Sequence, residues 1–182
     1  MIVQNITTSK VECKQYEDKE EVQVLNCTIE ILDIAFATFE YHVTIENCII
    51  DTLEIRYSWF KQGLTIKNST FKNIILFEAG ENYQPIIFSD NIFHEQFIFF
   101  DCYFHADVFI SHNVFKKTTS LLDTSNYFCT KCVCEHNIGK LDAMSYLSEM
   151  NGGHNWGKDI GEVEIIDNMS GSESPLIQQL VK

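Results

Sequence analysis

The stretch FCTKCVCEHN sets Cys129, Cys132, Cys134 and His136 within eight residues. Thiolate and imidazole are the donors that tetrahedral zinc prefers. Structural zinc sites, however, usually draw ligand pairs from two separated segments, and here all four donors come from one. A second set of candidates emerges when the chain is stacked on its own repeat. Asp90, His112, His136 and Asp167 then fall in one column, where carboxylate and imidazole groups on neighbouring turns would be placed to share a metal or a proton.

What positions both sets is a repeat. Units open at Val22, Leu32, Val43, Leu53, Leu64, Ile75, Ile86, Phe97 and Val108, in steps of 10 or 11 residues. They include VTIENCIIDT, LTIKNSTFKNI, FIFFDCYFHAD and VFISHNVFKKT. The third column runs Val24, Ile34, Ile45, Ile55, Ile66, Phe77, Phe88, Phe99 and Ile110. The sixth is small or compact, from Cys27, Ala37, Cys48 and Ser58 to Ser69, Gly80, Asn91, Cys102 and Asn113. The eighth is apolar except at Asn82.

Alternation at the head of each unit is the period of a strand with one face buried, and the columns drift off any helical face within two units. Few Gly-rich turns separate the units, which argues against a meander of hairpins. The pattern predicts an all-β fold, a parallel β-helix solenoid whose coils of 21 or 22 residues each take two units. Repeat coils are expected over 11–139, opened by the polar turn VECKQYEDKEE. A short helical insertion is expected over 140–157, a last coil over 158–170 and a C-terminal helical cap over 174–182.

The units VTIENCII, LTIKNSTF and VFISHNVF resemble the parallel β-helix repeat of the pectate-lyase-like superfamily. Their spacing also resembles that of pentapeptide-repeat proteins, from which the chain departs in its Phe- and Ile-rich columns and its interspersed six-residue steps. Both resemblances imply a right-handed β-helix. The first implies a carbohydrate-active protein, with calcium-binding carboxylates and an Arg or Lys base. The one arginine, Arg56, sits in an outward column with no aligned carboxylate cluster beside it. The second implies an acidic DNA mimic that binds a topoisomerase.

The formal net charge of -13 disfavours direct binding to nucleic acid, whose phosphates an acidic surface repels. No membrane-spanning run is present in the sequence, and the start carries no secretory leader pattern. Seven cysteines, an odd number, fit a reducing cytoplasm. A chain trimmed of a leader would be secreted, and only then would the glycosylation patterns at Asn5, Asn26, Asn68 and Asn168 matter.

Each candidate set has a plainer reading. Cys132 and Cys134 occupy inward columns, where free cysteine packs as a small apolar side chain. The column Asn26, Asn47, Asn68, Asp90, His112, His136 and Asp167 reads as a ladder of polar corner residues exchanging hydrogen bonds. The first outward column begins polar (Gln23, Asp33, Thr44, Glu54, Thr65) and turns apolar (Leu76, Ile87, Ile98, Phe109). Apolar patches on two faces call for covers: the expected helices or a second subunit, hence a homodimer. The expected function is a non-catalytic scaffold or protein-interaction module without a cofactor, with polysaccharide binding or lyase-like action as the alternative.

Overall fold

The computed structural model describes residues 1–14, 19–123, 125–141 and 162–169. They form an all-β parallel solenoid of about 6 turns, with no α-helix among the described residues. The segment 43–60 makes one coil: β6 (Val43–Glu46), a corner, β7 (Ile49–Glu54), a second corner, then β8 (Trp59–Phe60). Each strand pairs in parallel with its equivalents one coil away. Val43 pairs with Val22 and Leu64, Ile50 with Ile29 and Phe71, and Phe60 with Phe39 and Asn82.

Three stacks of strands result. The first sheet has 8 strands, from β1 (Ile2–Gln4) to β22 (Glu162–Ile166), and the second has 7. The third, of 5 short strands, comprises β5 (Thr38–Phe39), β8, β12 (Glu81–Asn82), β16 (Tyr103–Phe104) and β19 (Tyr127–Phe128). A pair formed by β11 (Ile75–Glu78) and β15 (Phe97–Phe100) occupies the place that the end of β7 takes in an earlier coil. Paired strands thus reach upstream of Val11, to Ile2. In the last described coil, Val163 pairs with Cys132 of β20 (Lys131–Glu135). The expected insertion helix beyond Leu141 and the expected C-terminal cap lie outside the described residues.

The inward columns fill the interior. Val24, Ile45, Ile66, Phe77, Phe88, Phe99 and Ile110 are all buried, as are Cys132 and Cys134. Each large side chain so buried contributes about 1.5–3 kcal/mol against the cost of ordering the chain. Phenylalanines stack from coil to coil, Phe71 on Phe93 at 5.2 Å and Phe93 on Phe115 at 5.0 Å between centroids. Asn82 interrupts another such ladder, between Phe60 and Phe104. It is fully buried, and its amide donates to the carbonyls of Gln84 at 2.9 Å and Ala106 at 3.3 Å. Gly80 answers to Phe77, because a Cβ there would lie 1.9 Å from the Phe77 ring.

The outward column is less bare than its composition suggests. Leu76, Ile87, Ile98 and Phe109 are each half-buried within the single chain. Parallel stacking sets Ile87 beside Phe109, and Leu76 beside Ile98, so each covers part of its neighbour.

Candidate functional site

The polar column, fifth in each unit that opens a coil, stands at the first corner of successive coils. Asn26, Asn47, Asn68, Asp90, His112, His136 and Asp167 all have positive φ, between 46° and 58°. Asn, Asp and His are the non-glycine types that adopt this left-handed conformation most readily. The turn also lets each corner amide continue the hydrogen-bond ladder between coils. The Asp90 N–H donates to Ser111 at 3.0 Å, that of His112 to Glu135 at 3.1 Å, and that of His136 to Ile166 at 2.9 Å.

Successive coils therefore bring Asp90, His112, His136 and Asp167 into one exposed corner column. The rings of His112 and His136 lie 5.2 Å apart, tilted by 32°. At the asparagine end the side chains exchange hydrogen bonds: Asn47 donates to Asn26 and Asn26 to Asn5, both at 3.2 Å. Among the described residues, no three His, Cys, Asp or Glu side chains converge in a geometry that would hold a metal ion.

The cysteine-rich stretch divides between inside and outside. Cys132 and Cys134 lie in β20 with their side chains in the core, Cys129 is half-buried, and His136 stands exposed at the corner. The Cys132 thiol is held well above its usual range by its hydrogen bond with Cys134 and by burial. Such a thiol is inert as a nucleophile at neutral pH. Arg56 makes an ion pair with Glu54 at 3.6 Å, beside the second corner.

The sixth column carries chemistry of a structural kind. Its residues are buried, and all but Ala37 and Gly80 turn a side-chain donor onto main-chain carbonyls. Cys48 Sγ donates to Val24 at 3.4 Å and Ser58 Oγ to Ile34 at 2.7 Å. From Asn91 onward its alternate positions, one per coil, form an asparagine ladder through Asn113 and Asn137 to Asn168. Asn113 Nδ2 donates to the Phe88 carbonyl at 2.8 Å, while its Oδ1 accepts from the Asn91 main-chain N–H at 3.0 Å.

The third sheet bears side chains that the repeat columns did not single out. Its outward row is Thr38, Trp59, Glu81, Tyr103 and Tyr127. Trp59, Tyr103 and Tyr127 are exposed at 44%, 41% and 38%. Tyr103 and Tyr127 stack at 5.6 Å, and beside them Tyr83 stacks on His105 at 4.5 Å. Glu81 Oε2 accepts the Tyr83 hydroxyl at 3.1 Å and lies 3.5 Å from His105 Nε2. The hydrogen bond from Tyr83 raises that phenol above its ordinary pKa. The sequence signal was the seventh position of alternate units, where Thr38, Trp59, Glu81 and Tyr103 recur.

No family model, no curated protein and no solved structure matches the chain. The class defined by its fold is the parallel β-solenoid.

Proposed function

We propose that the chain is a non-catalytic scaffold that binds another protein through an outer face of its solenoid. The observation that carries this reading is the outward row of the third sheet, one side chain per coil, in which Trp59, Tyr103 and Tyr127 stand exposed over a filled core. Aromatic side chains present large contact area at low conformational cost and are enriched where proteins meet. The polar residues best suited to catalysis have a structural task instead, because Asp90, His112, His136 and Asp167 form the left-handed corners. A right-handed wind is part of the proposal, on the resemblance of VTIENCII and LTIKNSTF to right-handed β-helix repeats.

The test uses the intact purified chain, incubated with polygalacturonate and with neutral glucans while cleavage and retention are followed. The expected result is neither, and alanine at His112 and His136 should lower the unfolding midpoint. Cleavage lost in those two variants at unchanged stability would overturn the proposal in favour of a carbohydrate-active enzyme.

A further inference from the structure

The third sheet and its flanks combine aromatic exposure with an excess of carboxylate. Glu81 stands in the outward row between Trp59 and Tyr103, so the gap in the aromatic row holds a negative charge. Its partners include a neutral phenol, Tyr83, and the imidazole of His105. At the neighbouring corner, Glu78 accepts from another neutral phenol, the Tyr57 hydroxyl, at 3.0 Å. On this side Lys61 is offset by Glu40 at 2.6 Å. The whole chain carries a formal charge of -13.

The same flank already seats a cation. Phe36 and Tyr57 stack at 5.1 Å on the second corner, and the Lys14 ammonium lies over the Phe36 ring at 5.2 Å. An ammonium or guanidinium group is drawn to an aromatic face by the ring quadrupole, and to a nearby carboxylate by charge. A neutral sugar would gain from the rings but would leave Glu81 without a counter-charge.

We infer that this face binds an extended, arginine- or lysine-rich segment of a partner protein, with its cationic side chains beside Glu81 and the flanking aromatics. The inference rests on the protein-binding reading above and names the partner's chemistry. Trp59 and Tyr103 are two coils apart, about 9.6 Å at the usual strand spacing. A polyproline-type segment advances about 9.3 Å in three residues, so basic side chains at every third position keep step with alternate coils. Arginine suits the gap best, since its planar group both stacks and pairs with carboxylate.

The test is fluorescence anisotropy of a labelled Arg-Pro-Pro repeat peptide with the full chain. A Gln-Pro-Pro peptide and a neutral cello-oligosaccharide serve as comparisons. Saturable binding of the arginine peptide is expected, and it should weaken as salt rises from about 0.1 M to about 1 M and the screening length falls from about 10 to about 3 Å. Glu81→Gln should weaken it about tenfold and Trp59→Ala at least as much, whereas Trp59→Phe should retain most of it. Unchanged circular dichroism and unfolding midpoints would show that these outward substitutions leave the coils intact. Equal peptide binding by wild type and variants, or no binding, overturns this assignment while leaving the broader protein-binding reading standing. Binding of the oligosaccharide alone, lost in Trp59→Ala, overturns both.

Discussion

Asn113 and Asn137, one coil apart, are joined twice inside the solenoid. Asn137 Oδ1 accepts from the Asn113 main-chain N–H at 2.9 Å and from its Nδ2 at 3.0 Å. Both side chains are fully buried. A single acceptor thus serves two donors of the coil below it, and the arrangement repeats from Asn91 to Asn113.

Replacing Asn113 by alanine should therefore do more than remove one hydrogen bond. The Asn91 main-chain N–H loses its acceptor, the Phe88 carbonyl loses a donor, and both stay buried. Each orphaned group costs about 1–3 kcal/mol, so a loss of about 3 kcal/mol or more is expected on urea denaturation. Cys48→Ala removes only a weak thiol donor and should cost about 1 kcal/mol. Similar losses in the two variants would show that the asparagines act as fillers.

The corners make a separate prediction, because their cost lies in the backbone. His112 has φ 55° and Ala79 has φ 48°. A β-branched residue tolerates that region poorly, so His112→Val should cost about 1–2 kcal/mol. His112→Asn restores the type used at Asn26, Asn47 and Asn68 and should stay within about 0.5 kcal/mol of wild type. Ala79→Gly should raise stability by about 0.5–1 kcal/mol, since the relief of strain exceeds the entropy added to the unfolded chain. Denaturation midpoints that rank valine equal to asparagine at position 112 would count against the corner assignment.

The inward columns were legible because burial of one face is a local property of a strand: Ile45, Ile66 and Phe99 announce it by alternation alone. Even Cys132 and Val163, beyond insertions, kept their register, since shifting a strand by one residue would turn its apolar side outward. The corner column was legible as polar, but its reason was not, because positive φ leaves no mark at Asp90 or His112 beyond residue type. Asn91 and Asn113 read merely as compact, since their value depends on carbonyls supplied 25 residues earlier in the chain. The outward aromatic row stayed hidden because nothing buries it, so selection for packing imposes no uniform column. Thr38 and Glu81 interrupt it.

The buried thiols predict how stability depends on pH. Burial pushes Cys13 and Cys102 up to about 12 and Cys48 up to about 11, from an ordinary 9.0. Cys102 also donates to the Phe77 carbonyl at 3.0 Å, a bond that a thiolate cannot make. These folded-state values lie above the unfolded one, so the folded chain holds the thiol protons more tightly. Their contribution is complete below the unfolded value and is lost as pH rises through it toward the folded values. Each thiol can withdraw up to about 1.4 kcal/mol per pH unit in that window, so the urea midpoint should fall between about pH 9 and about pH 11. A chain with Cys13, Cys48 and Cys102 all replaced by alanine should start less stable and show a clearly shallower fall. An equally steep fall would assign the alkaline sensitivity to other groups.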